Sequence, residues 1–132
     1  MGKLDGTIAL VTGGAKGLGK AACIRLARDG SSVAIIDREP ADETVAAITN
    51  EGGQASSWLC DVTDEAQIDQ AMKGIEERFG RLDILVNNAG ILSPRKPWNE
   101  WTRAEIQRYL DINFMGYWLV TRAAYPLLKR SP

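Results

Sequence analysis

The chain has 132 residues, 45% hydrophobic and 25% charged, which is the composition of one soluble globular domain spanning residues 1–132. Its formal net charge is −1 with acids and bases mixed along the chain, which speaks against a nucleic-acid surface or a polybasic membrane patch. There is no histidine, so Ser-His-Asp and Cys-His catalysis cannot arise within these residues, and a protein zinc site is not expected.

Thr7 to Val11 is β-rich and apolar on both faces, as in a buried parallel strand. The run is too short for a signal-peptide core or a membrane span, so no targeting segment or membrane contact is expected and the cytoplasm is the default compartment. Thr12-Gly13-Gly14-Ala15-Lys16-Gly17-Leu18-Gly19 follows and opens a helix. Leu18, Ala22 and Leu26 mark its expected apolar face, and Gly30 its stop.

Ser32 to Ile36 is a second buried strand, closed by Asp37. Pro40 suits the first turn of a helix striped by Ala41, Val45 and Ile48, and Gly52-Gly53 ends it. Gln54 to Cys60 is a weaker strand. Thr63 is placed to cap a helix running to Phe79, in which Ile68, Ala71, Met72 and Ile75 recur at helical spacing before Gly80 stops it. The separated Cys23 and Cys60 read as reduced, apolar packing residues.

Leu82 to Val86 is a fourth strand. Ile91 to Trp98, with Pro94 and Pro97, is a loop, and Trp98 and Trp101 read as packing residues. Thr102 to Glu105 has capping-box spacing and opens a long helix reaching about Arg130, with a bend expected between Asn113 and Gly116. Strands alternating with helices predict an α/β fold: a doubly wound, Rossmann-like sheet in the order 3-2-1-4, incomplete, with its fourth strand at an edge. An apolar edge needs a cover, from a further segment or another chain.

The glycine-rich turn carries the first chemistry. A pyrophosphate must approach a helix start closely, where free amides and the helix dipole favour negative charge, and side chains would obstruct it. Gly17-x-Gly19-x-x-Ala22 fits the dinucleotide fingerprint, with Asp37 about twenty residues on. Asp37 can accept from the adenosine ribose hydroxyls and would repel a 2′-phosphate, so NAD is expected rather than NADP, although Lys16 and Arg38 are two cations able to meet such a phosphate. Gly14 to Lys20 also has P-loop spacing, but Ala21 stands where the magnesium-ligating hydroxyl belongs. Asn113 shares a helical face with Ile106, Leu110 and Tyr117, so it needs a polar partner. Asp61 reads equally as a turn residue and as an adenine contact.

Thr12, Gly13, Gly17 and Gly19 in the turn, Asp61-Val62 after the third strand, Asn87-Asn88-Ala89-Gly90 after the fourth, and Asn113 followed by Gly116 give a sequence that resembles the short-chain dehydrogenase/reductase family. The resemblance covers nearly the whole chain, in order. It implies a nicotinamide cofactor held by Thr12, Gly13, Lys16, Gly17, Leu18, Gly19, Asp37, Asp61, Val62, Asn88, Ala89 and Gly90, and a small alcohol or carbonyl substrate. It implies for Asn113 a catalytic place, shaping the helix and holding a water in a proton relay. The family's serine, its tyrosine and the lysine four residues later would lie beyond Pro132. Tyr125 and Lys129 mimic that last spacing inside a helix the family packs between subunits, so they are rejected as the pair, and a homo-oligomer through this helix is expected. Phe114, Tyr117, Trp118, Val120, Leu127 and Leu128 supply its apolar surface. The expectation is a cofactor-binding portion that lacks catalysis alone. The alternative is a non-catalytic NAD-binding or partner-pairing short form.

Overall fold

Four β-rich runs pair into one parallel sheet in a computed structural model that describes residues 2–132. The strands are β1 (Ile8–Thr12), β2 (Ser32–Asp37), β3 (Ala55–Leu59) and β4 (Ile84–Val86), in the order β3-β2-β1-β4. The expected order therefore holds. β1 pairs Leu10 with Ala34 on one side and with Leu85 on the other.

Because alternate strand residues face opposite ways, the sheet feeds two cores. Val11, Val33 and Ile35 pack under α1 (Gly17–Arg28) and α2 (Asp42–Asn50) with Cys23, Ala41 and Ile48. Ile8, Leu10, Ala34 and Ile36 pack under α3 (Glu65–Phe79) and α5 (Gly116–Leu128) with Ile68, Ile75, Val120 and Leu127. Both cysteines are free and buried. Desolvation pushes the Cys23 thiol up to about 12 and the Cys60 thiol to about 11, so both are inert packing groups.

Several local expectations are corrected. The buried positions of α1 are Gly19 and Cys23, while Leu18 is 84% exposed. The stripe is displaced by one residue because the helix starts in the turn that brings Gly19 against the Gly13 carbonyl. Pro40 precedes α2, whose N-cap is Ala41. Asp64, not Thr63, caps α3 by accepting from the Gln67 amide, because Thr63 donates its own N–H and hydroxyl back to Asp61. β4 begins two residues late, since Leu82 gives its amide to the Leu127 carbonyl and Asp83 gives its amide to Ile8. Trp98 is 82% exposed rather than packed.

The capping box forms at Thr102 and Glu105 and starts α4 (Arg103–Leu110). The expected bend is a π-helical turn over Asp111–Met115 that joins α4 to α5 without a break. Ile106 and Leu110 are exposed, and Val120 and Leu127 are buried in the core, so the outward stripe is Leu110, Phe114, Trp118 and Tyr125.

Candidate functional site

The strand order reverses between β1 and β4: the chain runs outward through β2 and β3, then returns to the far side of β1. In a doubly wound sheet such a point leaves a crevice beyond the carboxyl ends of the two strands. Thr12 ends β1 there, 1% exposed, and its Oγ1 accepts from the amides of Asn88 (2.9 Å) and Ala89 (2.8 Å). The Asn88 side-chain amide donates to the Gly13 carbonyl at 3.2 Å. The glycine turn and the Asn-Asn-Ala-Gly segment thus form the floor of one crevice. Gly13 has a left-handed φ of 71°, and a Cβ on it would stand 2.9 Å from the Ala89 Cα.

Above that floor, α1 starts at Gly17, with φ 59° and open space around its missing side chain. A Cβ on Gly19 would meet the Gly13 carbonyl oxygen at 2.0 Å, so close packing of turn on helix requires glycine there. Lys16, the N-cap, makes no side-chain cap, and no acidic residue lies in the first turn. The start of α1 therefore has no side-chain cap of its own and is open to an anion, which fits a pyrophosphate.

Asp37 closes the turn from β2. Its Oδ2 accepts from the Ala15 amide at 2.9 Å and its Oδ1 from the Glu39 amide at 2.9 Å. Each oxygen keeps a lone pair for another donor. Thr44 of α2 holds the turn from behind: it is fully buried and donates its hydroxyl to the Gly14 carbonyl at 2.8 Å. Sequence reading missed Thr44. The available signal was its place between Ala41 and Ile48 on the inner face of α2, where a hydroxyl needs a partner.

Asp61 lies at the end of β3, accepting from the Thr63 amide and hydroxyl at 2.9 and 2.7 Å. Partial burial pushes its carboxyl up, but those two donors and the charges of Arg38 and Arg108 outweigh it and hold the pKa below the usual range. A cavity of about 350 Å³ opens beside it, bordered by Arg38, Gln107 and Arg108. The Val62 side chain points into the core, where a Cβ on Gly116 would touch its Cγ2 at 2.8 Å. Only its backbone remains to face a ligand.

Asn113 sits in the π turn and grips Ile91 twice. Its Oδ1 accepts from the Ile91 amide and its Nδ2 donates to the Ile91 carbonyl, both at 2.8 Å. Gly90 passes directly beneath, with room for no more than a tight Cβ at 3.0 Å from Oδ1. Asn87 donates to the Thr121 hydroxyl at 3.0 Å, and its Oδ1 is buried without a partner among the described residues.

The cations of the site are paired. Lys16 meets Glu39 at 3.1 Å, Arg38 meets Asp61 at 3.9 Å, and Lys20, the lysine of the P-loop spacing, meets Glu43 at 3.6 Å. Tyr125 and Lys129 lie elsewhere. Lys129 stacks 5.5 Å over the Tyr125 ring at the end of α5, near the Leu127 carbonyl that receives the Leu82 amide. That is the amino end of the strands, opposite Thr12 and Asn88.

The sequence model of the short chain dehydrogenase family matches residues 7–132. The chain is 36% identical over 128 residues to levodione reductase of Leifsonia aquatica, covering 94% of this chain and 48% of that protein. It is 38% identical over 133 residues to cyclopentanol dehydrogenase of Comamonas testosteroni, covering 99% and 53%. The crystal structure of a dehydrogenase/reductase from Sinorhizobium meliloti superposes with a TM-score of 0.89 at 37% identity, covering 95% of this chain and 50% of that one. The chain spans about half the length of these relatives. With the family model matching residues 7–132 and relatives named as a reductase and a dehydrogenase, this chain belongs to the short chain dehydrogenase family, a family of oxidoreductases.

Proposed function

We propose that this chain is the NAD-binding portion of an oxidoreductase acting on a small alcohol or carbonyl compound. The observation that carries the reading is Asp37 seated against the Ala15 amide, beside the uncapped start of α1 at the switch point. Bound NAD supplies the acceptor or donor of hydride. The amides of Gly17, Leu18 and Gly19 hold its pyrophosphate, and Thr12 and Gly13 keep the turn in place. Asp37 takes the ribose hydroxyls and disfavours a 2′-phosphate. Asp61 and Val62 border the adenine, and Asn88, Ala89 and Gly90 line the floor. Asn113 fixes the Ile91 loop and positions a water. Relatives named for levodione reduction and cyclopentanol dehydrogenation support the substrate class.

The serine, tyrosine and lysine of the reaction are proposed to come from sequence outside residues 1–132, so the 132-residue polypeptide binds cofactor without turnover. Titration calorimetry with NAD⁺ tests the first half, and loss of binding in D37A is the expected companion result. No NAD⁺ binding, or Mg²⁺-dependent ATP binding in its place, overturns the reading. Alcohol-dependent NADH formation by the 132-residue chain overturns the second half.

A homo-oligomer is proposed through α5, because Leu110, Phe114, Trp118 and Tyr125 leave an apolar stripe outward. The proposed compartment is the cytoplasm. Among the described residues no helix is long and apolar enough to cross a membrane.

A further inference from the structure

We propose that Glu39 is a specificity residue of the dinucleotide site, acting by occupying the Lys16 ammonium that would otherwise meet a ribose 2′-phosphate. The proposal rests on the nicotinamide dinucleotide reading above and concerns which of its two forms is excluded, and by what.

Lys16 follows directly on Ala15, whose amide Asp37 accepts, and Glu39 donates its own amide to the other oxygen of the same carboxylate. The two residues therefore flank Asp37 from opposite sides, one on the glycine turn and one after β2. Their side chains close the gap: the Lys16 Nζ lies 3.1 Å from Glu39 Oε2 and 3.4 Å from Oε1. An ion pair is thus strapped beside the carboxylate that takes the ribose.

A 2′-phosphate carries roughly two negative charges and needs free cations. Glu39 acts on this need twice, by neutralising Lys16 and by adding a second carboxylate next to Asp37. Arg38 offers little substitute, since it turns to Asp61, which Arg108 also faces from α4. The Lys16 and Glu39 side chains are 78% and 58% exposed, so the pair contributes little to folding stability. Its effect falls on what can bind beside it, through Coulomb terms that weaken with salt. The same exposure means that substitutions here leave the fold intact.

The test is calorimetric titration of NAD⁺ and NADP⁺ onto the native polypeptide that carries this chain, and onto its E39Q, K16Q and K16Q/E39Q variants. E39Q is expected to raise the NADP⁺/NAD⁺ affinity ratio about three- to tenfold at low ionic strength. The gain should shrink above about 0.3 M salt and be clearly smaller in the K16Q background, where only the carboxylate's direct repulsion remains to be removed. An unmoved ratio in E39Q, or an equal gain in the K16Q background, overturns the proposal while leaving NAD⁺ binding standing. Binding of neither dinucleotide to the unaltered protein brings down the parent reading and this one with it.

Discussion

The Thr12 hydroxyl oxygen lies 2.8 Å from the Ala89 amide and ties the end of β1 to the segment after β4. Since it also accepts from Asn88, one oxygen satisfies two amides at the floor of the crevice. Thr12→Val keeps the shape and strands both donors, so it should cost about 2–4 kcal/mol, whereas Thr12→Ser should cost about 1 kcal/mol or less. Urea denaturation of the two variants measures the difference, and a loss in Thr12→Ser as large as in Thr12→Val would contradict the weight placed on the hydroxyl.

The two glycines at the start of α1 should fail differently. Gly19→Ala drives a Cβ into the Gly13 carbonyl and should destabilise the fold severely. Gly17→Ala meets no atom and pays only for its left-handed backbone, about 1–2 kcal/mol, so it should fold. Its methyl would stand where the proposed pyrophosphate approaches, so NAD⁺ affinity should drop at least tenfold in a folded protein. Circular dichroism paired with NAD⁺ titration separates the outcomes.

Thr44→Val swaps a hydroxyl for a methyl of similar volume and leaves the buried Gly14 carbonyl short of a donor. A loss of about 1–2 kcal/mol is expected, with weaker NAD⁺ binding because the turn is no longer braced from α2. Unchanged affinity alongside lowered stability would show that Thr44 serves folding alone.

Asp83 makes stability depend on pH. Partial burial raises its carboxyl pKa, but the Ser131 hydroxyl, the Ile8 amide and Arg81 outweigh that and set it below the ordinary carboxylate value. A depressed folded-state pKa contributes stability that is complete above the unfolded value, about 3.9, and is lost as pH falls through the folded one. Unfolding free energies of wild type and D83N should therefore differ at pH 7, and the difference should narrow as pH falls below about 4. A difference that stays constant with pH would contradict the assignment.

If α5 pairs with a second copy, Phe114→Glu and Trp118→Glu should reduce the assembly to monomers in light scattering, without unfolding it, because both side chains point outward. Arg122 stacks 4.4 Å over the Trp118 ring, so W118E also exchanges a cation–π contact for a charge pair.

The sheet and its order were legible because parallel strands buried on both faces carry an unmistakable apolar run, as at Val33 to Ile36. The glycine turn was legible because close backbone approach at Gly13 and Gly19 restricts residue type at fixed spacing. What escaped depends on contacts distant in sequence. Nothing near Asp64 announces that Thr63 turns back to Asp61 instead of capping α3. Thr44 hides in an otherwise apolar stripe, and Glu39 gains meaning only once Lys16 is folded against it.

The exposed Ile106 and Leu110 show what helical counting cannot foresee when a turn closes from i to i+5 instead of i to i+4. The extra residue in the Asp111–Met115 turn delays the helix by one position, about 100° of rotation. It lets Leu110, Phe114 and Trp118 stay on the outside at steps of four while Asn113 reaches the Ile91 backbone. α5 is thereby indexed from Asn113 and not from the capping box at Thr102. Point substitutions across this stretch test side chains one at a time, whereas removing a single residue from it would rotate α4 relative to α5.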